Sequence, residues 1–545
     1  MNCVKKYVWV LLMGLMSMGF VSCSDSDEPV REPEVIKPSD KEEDKNKVEY
    51  YEFPEAYVNQ FCYDQMSFYY LWWRDINVGQ WLLNDNPIEK VKSIRYTEDE
   101  WSMAIEDITP YTEPSTTTHG TYGYDFTPYW ADDSQTHVVA VVTMVYPDSP
   151  AEKAGLKRGS VIMQMDGRYI ENNNADYNAL LTSASLDLSV FQPDKAVVEK
   201  IKMSPVDMYL DPVLYERIFD CGGKKVGYVF FKDFTFECVD RLLEVAKFFK
   251  KEGVSELVLD LRYNGGGYVT TEEILASLLA PGENVKNGDL YQTAVYNDTE
   301  YSKLLKEYYG DDYVNTYFTT SYKWTYKGKE YSYDTSDANI GLNKIYALVG
   351  HGTASASEAT LVGLMPYMDI EVIGKQTSGK HCAGVMFEAK EYYQDYEDYV
   401  ADLKKQNKTK YDKFVDEFWK YYAGWKSYIG KWGLYVMVST YADKNGDNPC
   451  RPNGIIPDVD MRDNPEEPYP LGDDREALLR EALTRAGYTD FTPLPEASES
   501  RALCRTRLGE SILREKEGRR ILLKPEVEIP LAIGKRPKRV AESGG

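Results

Sequence analysis

The chain has 545 residues, of which 43% are hydrophobic and 28% charged. That is enough for about three or four domains, and the balance excludes a mainly disordered chain or a multi-span membrane protein. Its 88 acidic against 63 basic residues leave a net charge of -25, a surface that repels phosphate backbones and argues against nucleic acid as a partner. Eight cysteines, without a C-x-x-C or a zinc-type Cys/His spacing, argue against a disulfide scaffold and a structural zinc site.

Lys5 and Lys6 precede an apolar run from Tyr7 to Val21, too short to cross a bilayer comfortably and the length of a secretory h-region. The run ends in Phe20-Val21-Ser22-Cys23, which resembles a bacterial lipobox with Phe20 where leucine is usual; the resemblance implies lipidation at Cys23. An ordinary signal peptide containing a cysteine is the alternative. Removal of residues 1–22 changes the net charge to -27. Residues 23–48 hold almost no apolar side chain and read as a flexible tether. The acidic stretch from Ser24 to Glu28 resembles the export signal of surface lipoproteins in Bacteroidetes, so the expected location is the outer membrane, on its periplasmic face or at the cell surface.

Residues 49–112 carry Phe61, Met66, Phe68, Tyr69, Leu71 and Trp72 at helical spacing, with further segments at Ile88–Ile94 and Trp101–Ile105, and predict a small helical domain whose aromatic stripe is core. The Thr-, Pro- and Gly-rich stretch at 109–123 marks a boundary. Beyond it, a strand from His137 to Val145 leads into Ser149-Pro150-Ala151, Gly155, Val161-Ile162 and Asp166-Gly167. That series resembles a PDZ domain, assigned to residues 113–205, in which a short helix opens at S-P-A, Gly155 ends it and a strand and tight turn follow. Gly123, Tyr124 and Phe126 stand where PDZ domains bind a peptide C-terminus beside an open strand edge; a plain strand start is the alternative.

From Lys225 onward apolar strands alternate with helical segments, which reads as an α/β core over residues 206–495. Gly282–Asn343 and Glu388–Lys431 look like insertions or helical arms. Residues 496–545 form a C-terminal extension, its last part from Arg501 carrying twelve basic and six acidic residues, read as a solvated segment.

Three motifs carry the chemistry. Leu257 to Gly267 is an apolar strand running into a triple-glycine turn, whose backbone N–H groups can approach a site closely. His351-Gly352-Thr353-Ala354-Ser355-Ala356-Ser357-Glu358 opens an apolar helix with an accessible serine, and Ser355 with Glu358 also fits a capping box. Gly374-Lys375-Gln376-Thr377-Ser378-Gly379-Lys380-His381 nearly spells a P-loop, but His381 stands where Ser or Thr should hold magnesium.

Taken jointly these motifs resemble the carboxyl-terminal processing peptidases, or tail-specific proteases, over roughly residues 50–490. The resemblance implies a multidomain α/β fold with a small helical domain, a β-rich PDZ domain and a ClpP/crotonase-like catalytic core. It implies Ser355 as nucleophile, Lys380 as base, oxyanion donors from Gly266 or Gly267 and from Ala356, and support from Glu358 and Thr377. Many members carry a glutamine four residues after the lysine, where this chain has Gly384. His351 and His381 leave a Ser–His arrangement as an alternative. A lysine with a pKa of about 10.4 is neutral in only about one molecule in 2,500 at pH 7, so a base at Lys380 needs a site that disfavours its ammonium by roughly 3–5 kcal/mol.

The function implied is a cell-envelope serine endopeptidase acting on protein substrates recognised through their C-terminal region, held to the membrane by the lipid at Cys23, with no metal or organic cofactor. The rivals are a non-catalytic PDZ-containing peptide-binding lipoprotein that keeps the fold, and a hydrolase of non-peptide acyl bonds on the same dyad.

Overall fold

The computed structural model describes residues 53–494 apart from 77–84, 109–117, 132–136, 196, 327, 395–396, 398–421, 452 and 466–468. The signal segment, Cys23, the tether and the C-terminal extension lie outside the described residues.

The described residues divide into two compact bodies, one within residues 1–113, 296–310 and 384–439, the other within 114–295, 311–383 and 440–545. In the first body Pro54–Tyr69 and Pro87–Ile94 are helices, each with proline in its first turn. Proline suits that position because its missing N–H would have no intrahelical acceptor there. The Asn86 side chain accepts from the N–H groups of Ile88 and Glu89 and so caps the second helix. The third segment corrects the expectation. Met103–Ile105 is a strand, antiparallel to Gly433–Tyr435, because its three residues pair with a distant segment that helical periodicity cannot register. The region is therefore not a self-contained helical domain: Asn297 donates to the carbonyls of Phe68 and Tyr70, and Tyr69 packs edge-on against Tyr301.

The second body is organised around a six-stranded sheet in the order Val213–Cys221, Lys224–Phe231, Glu256–Asp260, Lys344–Val349, Asp369–Gly374, Val459–Asp460. The first two strands are antiparallel; every later pairing is parallel. The central strands are apolar along both faces, as parallel strands covered on both sides must be. On one face Leu257, Leu259, Ile345, Ala347 and Val349 pack against helices Val239–Glu252, Val269–Leu279 and Ala356–Leu364. On the other, Val258, Tyr346, Leu348 and Ile373 pack against helix Ala477–Ala486. Helix Val239–Glu252 shows how the pattern works: Val239, Leu242, Val245, Ala246 and Phe249 share its buried stripe, and Gly253 closes it in the left-handed region at φ +76°. Burying such a side chain is worth about 1.5–3 kcal/mol over leaving it exposed.

Residues 118–208 of this body add a second sheet in the order Tyr124–Trp130, Val138–Val145, Val161–Met165, Leu186–Gln192, Val197–Met203, with helices Pro150–Lys153 and Asn174–Thr182. Ser149 caps the first of these helices by accepting from the Glu152 N–H. The stretch 282–343 is only partly helical: it includes an antiparallel hairpin, Ser321–Tyr326 with Lys329–Asp334, whose Trp324 and Tyr331 rings stack.

Candidate active site

Strands ending at Asp260, Val349 and Gly374 are parallel neighbours, so the three motifs that follow them emerge at one edge of the sheet. In open α/β sheets the carboxyl ends of the strands are where sites are built. The loops are stitched together there. Thr353 Oγ1 donates to the Leu261 carbonyl at 2.8 Å, and the Ala354 N–H and Ser357 hydroxyl both donate to the Asn264 carbonyl at 3.1 Å. The Ser378 N–H donates to the Thr353 carbonyl at 2.9 Å.

Ser355 occupies the N-cap of helix Ala356–Leu364 at φ +57°, ψ -119°, and is only 2% exposed. Positive φ is costly for a residue with a Cβ and persists only where surrounding contacts impose it. Those contacts centre on Glu358, a fully buried carboxylate. Its Oε2 accepts from the Ser355 N–H at 3.0 Å and from the Lys380 N–H at 2.9 Å. Its Oε1 accepts from the Gly379 N–H at 2.7 Å and from the Thr377 hydroxyl at 2.5 Å, while Thr377 Oγ1 itself accepts from the Ile455 N–H at 2.7 Å. The capping-box and nucleophile readings of this serine thus coexist: the carboxylate that satisfies the N-cap amide also grips the backbone of Lys380, itself 7% exposed. Burial pushes the Glu358 carboxyl up, and its hydrogen bonds from Thr377, Gly379, Cys450 and Ser355 oppose that rise.

The same bonds argue against the P-loop reading. The amides of Gly379 and Lys380, which a P-loop would turn toward phosphate, are spent on Glu358, and Lys380 leads into strand Cys382–Glu388 rather than a helix.

The glycine turn narrows the expected oxyanion donors. The Gly266 N–H donates to the Asn264 side-chain carbonyl at 2.8 Å and is thereby engaged, a correction to its expected role. Gly266 still matters sterically: at φ +109°, a Cβ there would stand 2.7 Å from Ser355 Cβ and 3.0 Å from the Ala356 nitrogen. Gly267 and Ala356, the other residues expected to give oxyanion amides, are the sequence neighbours of the two residues in that contact.

His381 Nδ1 lies 3.1 Å from the Gly379 carbonyl oxygen, and His351 is exposed. Gly384 has a steric explanation: a Cβ there would meet Tyr435 Cζ at 2.5 Å and Met437 Cε at 2.4 Å, so no glutamine fits without displacing a ring. The residues expected to bind a peptide lie at the start of the second sheet's first strand. Gly123, at φ +73°, donates its N–H to Thr121 Oγ1 at 3.1 Å, Tyr124 begins a strand at the end of the sheet order, and Phe126 packs near Tyr177 at 6.2 Å.

Sequence reasoning missed the buried ionic cluster behind the glycine turn. Arg262 donates to Asp260 at 2.8 and 2.9 Å, to Glu476 at 2.7 and 3.0 Å and to Asp463 at 3.0 Å. Arg158, from the second sheet's body, donates to Asp463 and to the Tyr263 hydroxyl at 2.6 Å and to the Thr143 carbonyl at 2.8 Å. Asp463 and Glu476 lie 201 and 214 residues from Arg262, and Asp463 lies 305 from Arg158, so no local motif announces the cluster.

A buried serine at a helix N-terminus and a buried lysine whose N–H shares its Glu358 clamp stand together at the carboxyl ends of the parallel strands. Residues 225–461 match the family model described as "Peptidase family S41". Over 254 residues it is 26% identical to the carboxyl-terminal-processing protease of Picosynechococcus sp., covering 46% of this chain and 53% of the relative. Over another 254 residues it is 26% identical to the chloroplastic C-terminal processing peptidase of Tetradesmus obliquus, 44% of this chain and 47% of the relative. The chain thus spans about half the length of these curated relatives. A crystal structure described as an S41 protease from Bacteroides fragilis shares the fold, with a TM-score of 0.55 at 24% identity, covering 79% of this chain and 98% of that one.

Proposed function

We propose that the protein is an exported serine endopeptidase of the cell envelope, anchored by lipid at Cys23, that cleaves protein substrates through a Ser355–Lys380 dyad. The observation that carries this reading is the shared Glu358 oxygen, which keeps the Ser355 and Lys380 nitrogens within about 6 Å of each other and so within reach of a lysine side chain. Ser355 Oγ attacks the scissile carbonyl, neutral Lys380 takes its proton and delivers it to the leaving amine, and water then resolves the acyl-enzyme. The amides of Gly267 and Ala356 hold the oxyanion; one such donor is worth about 10²–10³ in kcat.

Residues 113–205 act in this reading as a PDZ module that recruits the substrate's C-terminus by adding it as a strand beside Tyr124–Trp130. Support comes from that strand's place at the end of its sheet and from helix Asn174–Thr182 beside it, whose Leu180 carbonyl accepts from the Tyr124 hydroxyl.

The test is hydrolysis of an unfolded protein with an apolar C-terminus across about pH 6–10, with Ser355→Ala and Lys380→Ala alongside. Loss of cleavage in both, with a rate in the wild type rising through an apparent pKa well below about 10.4, supports the dyad. A wild type that binds the peptide without cleaving it favours the binding-protein alternative.

A further inference from the structure

Lys380 has its N–H on Glu358, but a base also needs the other end of its peptide unit fixed, because rotation there swings the whole side chain. The Lys380 carbonyl accepts from the Tyr441 hydroxyl at 3.0 Å. The Cys450 thiol stands beside Tyr441, and with the Tyr441 proton given to Lys380 it is the thiol that donates to Glu358. Cys450 is buried and free of any disulfide. Its position is set by its own backbone: its N–H donates to Asn448 Oδ1 at 2.9 Å, its carbonyl accepts from the Gly454 N–H at 2.7 Å, and Asn448 Nδ2 returns to the Tyr441 carbonyl at 2.6 Å. Tyr441, Asn448, Cys450 and Gly454 are thus tied together through the Asn448 side chain and the Cys450 backbone.

The geometry points to Tyr441 and Cys450 as positioning residues for the base: Tyr441 holds the Lys380 carbonyl directly, and Cys450 supports the Glu358 carboxylate that holds its amide. This rests on the dyad reading above. The cysteine's use is its donor. Glu358 is acceptor-only when ionised, and a buried carboxylate needs every donor it can gather. A thiol supplies one while keeping the compact, weakly polar character that suits a buried wall. Neither residue touches the reacting atoms, so each acts through the orientation of Lys380, where a displacement of about 1 Å can cost about 10²-fold.

The experiment uses the full chain and two readouts: the rate at which Ser355 is labelled by an alkyl fluorophosphonate, and kcat and KM on an unfolded protein substrate. Labelling joins serine oxygen to phosphorus with loss of fluoride, the serine proton passing to the base, and so reports activation of the serine independently of substrate recognition. The variants are Tyr441→Phe, Cys450→Ala, Cys450→Ser and the Tyr441→Phe/Cys450→Ala double, all assayed well below their melting temperatures. We expect Tyr441→Phe and Cys450→Ala each to slow labelling and kcat about tenfold with KM within about twofold, the double to lose less than the product because the two act as one unit, and Cys450→Ser to recover most of the rate because a hydroxyl keeps the donor. Unchanged labelling in both single variants overturns the inference, as does a Cys450→Ser protein as slow as Cys450→Ala, which would mark a packing role. A wild type that is neither labelled nor active overturns the dyad and the positioning role with it, whereas a labelled wild type with equally labelled variants overturns the positioning role alone.

Discussion

Two buried sets of carboxylates lie behind the same sheet edge and are treated in opposite ways. Glu358 is held by amide, hydroxyl and thiol donors, and burial leaves its carboxyl above the ordinary range. Burial works against Asp463 and Glu476 too, but guanidinium charge overcomes it: Arg158 and Arg262 hold Asp463 down at about 2, and Arg262 ahead of Arg158 lowers Glu476. Three carboxylates share two guanidiniums in that cluster, and the one left at a disadvantage is Asp260, which burial raises despite Arg262. The contrast teaches a division of labour. Full charges are paired behind the glycine turn, and neutral donors serve the carboxylate that holds the Ser355 and Lys380 amides.

The sharpest way to break this comparison is Glu358→Gln. Its amide nitrogen would face donors where an oxygen now accepts, so kcat/KM should fall about 10³-fold, at roughly 1.5–3 kcal/mol for each lost bond to a charged acceptor; steady-state kinetics on the folded variant would show it, and a loss under about threefold would remove Glu358 from its assigned role. Next comes Arg262→Ala, which strands buried carboxylates and should cost about 3–5 kcal/mol in urea unfolding.

Asp463→Asn tests the cluster by pH. Stability from a carboxylate lowered in the folded state is present above its unfolded pKa of about 3.9 and lost as pH falls from there through about 2. The variant should therefore melt below the wild type at pH 7, and the gap should narrow steadily as pH drops below about 4; a gap of constant size would show that charge is not what Asp463 contributes. Smaller still is Asp64→Asn in the other body. Burial raises Asp64 to about 6, against hydrogen bonds from Tyr392 and Gln60, so its favourable contribution is lost as pH rises through about 6. The variant should match the wild type near pH 4 and melt about 2–4 °C higher at pH 8. His381→Ala should leave turnover within about threefold, since a dyad already supplies the base; a loss of several orders would revive the histidine alternative.

The meeting of the three motifs was legible because each follows its own apolar strand, and parallel pairing then brings the three ends together without further information. Ser355, Lys380, Thr377 and Glu358 could all be singled out on that basis. What escaped was everything supplied by partners remote in sequence. Tyr441 and Cys450 lie beyond a long Tyr- and Lys-rich stretch and carry no motif, and Arg158 looks like any solvated arginine until Asp463 is folded over it. Met103–Ile105 was misjudged for the same reason, its three residues taking their conformation from a partner strand. Gly266 could not be told from Gly267, because only the fold shows which amide Asn264 consumes.

The ionic cluster also sets an order of events in synthesis. Ser355 and Lys380 leave the ribosome about a hundred residues before Glu476, whose carboxylate serves both as N-cap of the Ala477–Ala486 helix and as a partner of Arg262. Domains of this kind fold as units once their last long-range contacts become available. A growing chain therefore carries Ser355 and Lys380 well before Glu476 can brace Arg262 behind the glycine turn, so the ordered form of these strand ends waits on the last part of the sheet's cover.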